Sequence, residues 1–314
     1  MIRTEKLTRK FGNSRGIFDL DLEVPKGSIY GFVGHNGAGK TTTIKILCGL
    51  AKADSGKAFI NEVEVNSANL VKIKRSIGYM PDITGVYDQM SVWEFLDFYG
   101  SAFKIPPKER KKRIEEVLEI TASSEMIDYQ VASLSRGMRQ KIALAKTLIH
   151  DPEVLILDEP AGGLDPNARI EMRRTIGSLK DLGKTILLSS HILPELASIC
   201  DRVGIINKGV LLAQGTVREI GEMLRENLNI LITVDSDIEY ALALIRQCPG
   251  VAEASIADNN HISCSYTGGR ESAADLLSLI QANGVKVRFF TENEESLENV
   301  FMNITSSGGK EMEE

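Results

Sequence analysis

The sequence predicts an α/β protein with a parallel sheet core, followed by a smaller α+β domain, and three features of the 314 residues indicate it. An apolar, strand-like run at 28–33 passes through a glycine-rich loop into a segment of helical spacing at 42–48. Two further apolar runs, at 154–157 and 185–190, end in polar residues, where ligands of parallel sheets gather. After residue 215 the pattern changes to a β-α-β-β-α-β order, which is ferredoxin-like.

The composition is that of a globular protein from a reducing compartment. The apolar fraction of 43% is ordinary, and the length favours two domains. A net charge of −6 lacks the positive field that nucleic-acid binding needs, so we expect no nucleic acid as the main partner. The four cysteines form no C-x-x-C pair and are expected to be buried hydrophobes. Because the chain has no signal-peptide core and no run of about 18 apolar residues, we expect no transmembrane segment of its own.

The loop after the first apolar run predicts a phosphate site. Its residues, which fit G-x-x-x-x-G-K-[ST], are Gly34, His35, Asn36, Gly37, Ala38, Gly39, Lys40, Thr41 and Thr42. Small residues let successive backbone N–H groups curl around phosphate oxygens, while the lysine reaches the β and γ phosphates. The helix that follows adds a preference for anions at its N-terminus. The alternative is a glycine turn with an incidental lysine, and the strand before the loop and the helix after it disfavour that interpretation.

The first 33 residues predict a small antiparallel sheet, with a turn at Pro25-Lys26-Gly27 that leads into the phosphate loop. Further strands are expected at 56–60 and 77–79. Phe11 lies just before a glycine in this region, and two interpretations stay open for it. Its ring stacks on a purine, or it is one more core aromatic.

A helical insertion is predicted at about 88–150. The segments 91–105 and 108–121 have helical spacing, and Pro106-Pro107 separates them. The basic run at 108–113 is interleaved with glutamates, which favours a solvated helix face over a contact with head groups or nucleic acid. A third helix begins after Ser135, a good N-cap, and runs to about residue 150.

Two adjacent carboxylates, Asp158 and Glu159, follow the buried run 154–157. Successive residues on a strand point to opposite faces, so one can lie beside a metal while the other faces a water. His191 occupies the corresponding position at the end of the run 185–190, although a histidine there is by itself more often structural. A predicted hairpin, with strands at 203–206 and 210–213, closes the first domain at about residue 217.

Taken in order, these segments resemble the ATP-binding cassette (ABC) ATPases, in particular the ATP-binding subunits of multidrug and antibiotic-resistance exporters. The resemblance covers residues 1 to about 225 and implies the P-loop ABC ATPase fold. It rests on GHNGAGKTT as Walker A, LSRGMRQ as the signature, LILDEP as Walker B, Gly163-Leu164-Asp165 as the D-loop, and His191 as the switch histidine.

The resemblance implies ATP and Mg²⁺ as cofactors and gives the motifs their roles. Lys40 would bind the β and γ phosphates, and Thr41 would hold Mg²⁺, which Asp158 would support through its waters. Glu159 would polarise the attacking water, and His191 would contact the departing γ phosphate. The other implied nucleotide contacts are Gly34, Asn36, Gly37, Ala38, Gly39 and Thr42 of the loop, with Ser135 and Gly137 reaching the site from the second copy of a head-to-tail dimer.

The chain departs from the family pattern at two positions. Arg136 replaces the first signature glycine, which is expected to bring a guanidinium near a triphosphate. Asp82 stands where the family usually has a glutamine or glutamate that contacts both metal and nucleotide and senses the membrane partner. We keep Asp82 as a candidate ligand, although its shorter side chain favours contact through water. Ala161-Gly162, where many relatives have Thr-Ser, is expected to be tolerated.

The implied function is ATP hydrolysis that drives a separate polytopic permease from the cytoplasmic face of the membrane, in export of drugs, antibiotics or peptides. A soluble ABC-type switch acting on ribosomes or DNA is the alternative, disfavoured by the single cassette and the acidic charge. A nucleotide-regulated binding module with little turnover is a third class, which the intact acid pair argues against. Cargo and permease cannot be read from the chain.

The remaining residues predict a linker at 218–227, an accessory domain at 228–305 and a flexible acidic tail at 306–314. The accessory domain is expected to have strands at 228–234, 251–257, 261–266 and 285–291 and helices at 238–247 and 273–283. No catalytic cluster lies in it. Its closing segment at 295–301 resembles the end of the accessory domain in drug-exporter ATPases, and a regulatory or dimer-stabilising role is the hypothesis.

Overall fold

A computed structural model describes residues 1–12, 15–83, 85, 89–223, 228–258, 260–267 and 269–292. The described residues divide into two compact units, which belong to Met1–Val217 and Arg218–Asn303. The expected closing segment at 295–301, the acidic tail at 306–314 and the last part of the predicted linker, 224–227, lie outside the described residues.

The first unit combines two sheets with seven α-helices among its described residues, and helix α8 (Val217–Met223) follows it. The strands are β1 (Ile2–Phe11), β2 (Arg15–Leu20), β3 (Glu23–Val24), β4 (Ile29–Val33), β5 (Ser55–Ile60), β6 (Val63–Glu64), β7 (Ile77–Met80), β8 (Val154–Leu157), β9 (Thr185–Ser190), β10 (Arg202–Asn207) and β11 (Val210–Thr216). The helices are α1 (Lys40–Leu47), α2 (Leu70–Ser76), α3 (Val92–Ala102), α4 (Pro107–Ile120), α5 (Arg136–Leu148), α6 (Pro166–Asp181) and α7 (Leu193–Ala197).

The central sheet has the order β11-β10-β4-β9-β8-β7. Every neighbouring pair is parallel except β10 and β11, which form the predicted hairpin. Strand β4 is buried along its whole length, and so are β8 and β9. Continuous burial, without polar alternation, is what a parallel strand covered on both faces requires. The parallel core is confirmed, and the carboxyl ends of β4, β9 and β8 lie side by side.

The second sheet of this unit is antiparallel, with the order β2-β1-β5-β6 and β3 paired to β1. The prediction that residues 1–33 form one antiparallel sheet is therefore wrong for the last strand, β4, which lies in the central sheet. Some of the buried side chains of both sheets and of α1 form one core, which includes Ile2, Phe32, Leu47 and Ile156.

The helical insertion has the predicted break between α3 and α4, because α4 begins with Pro107 at its first turn. Helix α3 begins with a capping box, in which the Ser91 hydroxyl accepts from the Glu94 N–H and the Glu94 carboxylate accepts from the Ser91 N–H. The predicted Ser135 cap of α5 is also present. The predicted break and the predicted cap are therefore confirmed.

The second unit confirms the ferredoxin-like order. Its elements are β12 (Leu228–Val234), α9 (Ile238–Ile245), β13 (Val251–Asp258), β14 (His261–Tyr266), α10 (Gly269–Ala282) and β15 (Val287–Glu292). The sheet order is β13-β14-β12-β15, and every neighbouring pair is antiparallel. The four cysteines of the chain are free and buried, as expected. Within the described residues, no helix combines the length and apolar character that crossing a membrane requires.

Candidate active site

The glycine-rich loop connects the end of β4 to the start of α1. Gly37 and Gly39 have φ values of 85° and 114°, in the left-handed region that favours glycine. A Cβ on Gly34 would lie 2.5 Å from the carbonyl oxygen of Ile206, so a side chain does not fit there. The turn exposes Asn36 and brings the chain into α1 at Lys40. The first N–H groups of a helix have no intrahelical acceptor, and this loop therefore presents donors for phosphate oxygens.

Lys40 is 5% exposed, and its side chain curls back over the loop. Its Nζ donates to the carbonyl oxygens of Gly34 (2.5 Å) and His35 (3.4 Å). The same Nζ lies 3.3 Å from Oε1 of Glu159. The ammonium is thus held where the loop and the strand-end acid meet.

The two strand-end acids point in different directions. Asp158 is 1% exposed, whereas Glu159 has a φ of 48°, which turns the chain sharply after β8. A single buried hydroxyl connects them, because Ser189 Oγ donates to Asp158 Oδ1 (2.6 Å) and accepts from the Glu159 N–H (2.9 Å). Sequence reasoning missed Ser189. The sequence feature that could have indicated it is a serine near the end of the buried apolar run 185–190.

His191 completes a contact around the Glu159 carboxylate. Its Nδ1 lies 3.0 Å from Glu159 Oε2, while its ring is about half exposed. The carboxylate is therefore flanked by the Lys40 ammonium on one oxygen and the imidazole on the other. Glu159 Oε1 is buried without a hydrogen bond, although the ammonium is near. The three residues predicted to be catalytic lie together: Lys40 begins α1, Glu159 follows β8 and His191 follows β9.

Asp82, which follows β7, joins the acids of this site. Its Oδ1 lies 3.7 Å from the position that a Cβ on Gly162 would take, close to the loop after Glu159. Burial, together with the negative charges of Asp158 and Glu159, raises the pKa of the Asp82 carboxyl above its usual range. Arg136 and His191 act in the opposite direction. The three carboxyl groups are therefore close enough for their negative charges to repel one another.

The chemistry of this donor set suits Mg²⁺. Within the described residues, no group of three or more His, Cys, Asp or Glu side chains is arranged to hold a metal by itself. Mg²⁺ is ordinarily held by one or two protein oxygens together with substrate phosphates and water. Thr41 is exposed in the first turn of α1, and Thr42 is half-buried beside it. The site therefore offers the few oxygen ligands beside a phosphate loop that Mg²⁺ ordinarily uses.

The signature residues lie at the start of α5, which contacts the loop of residues 161–165 rather than projecting alone. Ser135 Oγ accepts from the Met138 N–H (3.3 Å), and Gly137 packs near Ala168. The Arg136 guanidinium donates to the Gly162 carbonyl oxygen (2.9 Å) of its own chain. The expected guanidinium thus has a partner within the subunit. Ser135 itself remains exposed.

Phe11 lies at the end of β1 and is 49% exposed. The guanidinium of Arg9 lies 5.3 Å from its ring centroid, within the range of a cation–π contact. The structure therefore removes the core interpretation of this side chain. A stacking role with a purine stays a prediction.

Comparison with known proteins places these features among transport proteins. A family model described as "ABC transporter" matches residues 17–162, and one described as "ATP-binding protein DrrA1-3-like, C-terminal domain" matches residues 215–305. The bacitracin transport ATP-binding protein BcrA of Bacillus licheniformis is 36% identical over 98% of this chain and 98% of its own length. The linearmycin resistance ATP-binding protein LnrL of Bacillus subtilis is 30% identical over 97% of this chain and 98% of its own.

The fold has the same neighbours. A solved structure of an ATP-binding subunit of an ABC transporter superposes with a TM-score of 0.64 and 28% sequence identity. The match covers 71% of this chain and 92% of that one.

Proposed function

Because this chain belongs to the ATP-binding, ATP-hydrolysing subunits of ABC transporters, we propose that MgATP closes a head-to-tail dimer of it and that hydrolysis drives an export permease. One observation carries the catalytic part of the proposal. The Glu159 carboxylate lies between the Lys40 ammonium and the His191 imidazole, at the mouth of the phosphate loop. Its placement suits a base for an attacking water.

In the proposed mechanism, the Lys40 ammonium stops donating to the loop carbonyls and donates to the β and γ phosphates of ATP instead. Glu159, released from the ammonium, orients a water and takes up its proton as the oxygen attacks the γ phosphorus. His191, whose Nδ1 contacts the same carboxylate, would contact the departing phosphoryl group. Thr41 and Asp158, with Asp82 through water, would hold Mg²⁺, which neutralises phosphate charge when bound.

The test of this mechanism is Glu159→Gln, which keeps the shape of the side chain and removes the base. We expect ATP binding to persist and turnover to fall at least about a hundredfold, the upper part of the range for a positioned base. Glu195→Gln is the matched control, because its side chain has the same 15% exposure and lines the same cavity while pairing with Arg169. Phosphate release at saturating ATP measures the turnover of both variants. Near-normal turnover in Glu159→Gln would remove Glu159 from the role.

The dimer part of the proposal concerns the start of α5. Ser135 and Gly137 would face the nucleotide of the second copy, which leaves the phosphate loop of each copy to be closed by the other. Support comes from the exposed Ser135 side chain at a helix N-terminus, where anions are favoured. Size-exclusion chromatography of Glu159→Gln with MgATP should give a dimer. Ser135→Ala in the same background should weaken it, and an unchanged dimer would count against the head-to-tail arrangement.

We propose that the permease docks in a groove between the helical insertion and the core. The groove has a volume of about 250 Å³ and is lined by Leu50, Tyr79, Tyr99, Phe103, Lys146 and His150, among others. The Phe103 ring stacks on His150 with centroids 3.8 Å apart, and Lys146 lies 5.2 Å from the Tyr99 centroid. The groove adjoins β7, the strand that leads into Asp82. An apolar segment of a membrane protein is the occupant that this lining favours.

Two equally exposed leucines test the groove. Leu50 lies in it and is 56% exposed, while Leu182 is 55% exposed at the end of α6. We expect Leu50→Asp to abolish co-purification of a polytopic membrane protein and Leu182→Asp to leave it intact, with phosphate release by the isolated subunit unchanged in both. Equal effects would refute the docking site. Ribosomes or DNA as the co-purifying partner would instead favour the soluble-switch alternative.

The relatives named for bacitracin transport and linearmycin resistance support an antibiotic as the cargo. The location that we propose, the inner face of the membrane, follows from docking on the permease. For the second unit we keep a regulatory or dimer-stabilising role. Removing residues 228–314 without any change in turnover, dimerisation or transport would eliminate that role.

A further inference from the structure

Arg136, one of the two departures from the family pattern, is bound to the loop that follows the catalytic acid of its own chain. Its Nη2 donates to the Gly162 carbonyl oxygen at 2.9 Å. A Cβ on Gly163 would lie 2.3 Å from the Arg136 Cζ, so the guanidinium lies flat against that backbone. Gly163 has a φ of 65°, which also favours glycine. The loop and the guanidinium therefore fit each other closely.

Gly162 connects this contact to Glu159. Its N–H donates to the Glu159 carbonyl oxygen at 2.9 Å, while its own carbonyl accepts from Arg136. A single residue thus lies between the catalytic acid and the start of α5. At its other end the loop is fixed by Asp165, whose Oδ1 accepts from the N–H groups of Asn167 and Ala168 at the start of α6.

The position of Glu159 needs such support. Its φ of 48° is unfavourable for a residue with a side chain, and such a conformation persists only when the surroundings hold it. The Ser189 hydroxyl fixes the Glu159 N–H, and the Gly162 N–H fixes its carbonyl. Arg136 is the side chain that holds Gly162 from the opposite side. A planar guanidinium can lie against a glycine backbone and donate to a carbonyl at the same time, which a lysine cannot do.

We propose that Arg136 is a positioning residue for Glu159 of its own subunit, acting through Gly162, and not a ligand of the nucleotide that α5 faces in the second copy. The inference rests on the proposed dimer, in which the start of α5 belongs to the other composite site. Arg136 then joins the two sites of the dimer through one subunit. Movement of α5 toward the second copy's nucleotide would be transmitted to the acid of the first site.

Mixed dimers separate action within a subunit from action across the interface. A test subunit with intact Glu159 is mixed with about a tenfold excess of Glu159→Gln, so that nearly every active acid is in a mixed dimer. In the first mixture the test subunit carries Arg136→Ala. In the second mixture the excess subunit carries both Glu159→Gln and Arg136→Ala, and the test subunit is unaltered. The reference mixture has intact Arg136 in both subunits.

We expect phosphate release in the first mixture to fall about tenfold below the reference, because a displaced catalytic group costs one to two orders of magnitude in rate. The second mixture should stay within about twofold of the reference. The matched control is Lys141→Ala in the test subunit, because Lys141 is a cation of the same helix beyond the signature and pairs with Glu171 instead (2.9 Å). It should keep the reference rate.

The opposite result, loss in the second mixture alone, would show that Arg136 acts on the nucleotide of the other subunit and would overturn the proposal. Equal loss in both mixtures, or loss in neither, would overturn it as well. Failure of the proposed function itself is visible beforehand, since Glu159→Gln alone would then hydrolyse ATP at the unaltered rate.

Discussion

Replacing Ser189 by alanine removes one hydroxyl that touches both strand-end acids. The hydroxyl is fully buried, and its short bond to the buried Asp158 carboxylate (2.6 Å) is charge-assisted. Losing a hydrogen bond to a charged group costs about 1.5–3 kcal/mol, and the Glu159 N–H also loses its acceptor. We therefore expect a loss of about 3 kcal/mol in the free energy of unfolding. For a unit of this size, that lowers Tm by about 6–12 °C.

The rate should fall as well, because both acids lose their common support. A misplacement of about 1 Å costs up to about a hundredfold, so we expect kcat to fall between about tenfold and a hundredfold. Thermal melting and phosphate release at saturating MgATP measure the two effects. Ser190→Ala is the control, since the neighbouring hydroxyl is nearly as buried but accepts from the Ile192 N–H (3.0 Å) instead of contacting the acids. Unaltered kcat in Ser189→Ala, or the same loss in Ser190→Ala, would refute the reasoning.

Three further predictions concern the rest of the first unit. Burial lowers the pKa of His150 below its ordinary 6.5. The unfolded chain therefore takes up the proton at a higher pH than the folded chain, and the free energy of unfolding falls as the pH drops below about 6.5. Melting curves of His150→Gln should lose that part of the pH dependence. Arg110 donates to both carboxylate oxygens of Asp97, so Arg110→Ala should lower the free energy of unfolding by about 2 kcal/mol. The control is Lys112→Ala, whose exposed side chain should contribute less than about 0.5 kcal/mol, and chemical denaturation measures both variants. If the Phe11 ring stacks on adenine, Phe11→Ala should raise KM for ATP about tenfold with kcat unchanged in steady-state kinetics, and an unchanged KM would exclude stacking.

Local signals in the sequence predicted much of the fold. Ser91 with Glu94, Ser135 and the proline pair at 106–107 all act on neighbouring residues, so the helix starts and the break could be read directly. Helices α2, α6 and α7 were not predicted. Strand β4 was assigned in part to the wrong sheet, because a strand's neighbours depend on residues far away in the chain.

The sequence also identified the candidate chemical groups but not how they meet. Lys40, Glu159 and His191 were recognisable by the motifs around them, whereas Ser189 has no motif and emerges only from its two hydrogen bonds. Arg136 could be recognised in the sequence as an unusual residue of its motif, but its contact with the Gly162 carbonyl could not be predicted.

By itself, then, the sequence determined the residue types, the order of the motifs and the elements that carry them, because spacing and capping operate within a few residues. The tertiary structure decided that β4, β9 and β8 lie side by side and bring their ends into one site. It also decided which side chains share a hydrogen bond there. Such contacts join residues separated by long stretches of chain, and their geometry depends on the packing of whole elements, which no local pattern encodes.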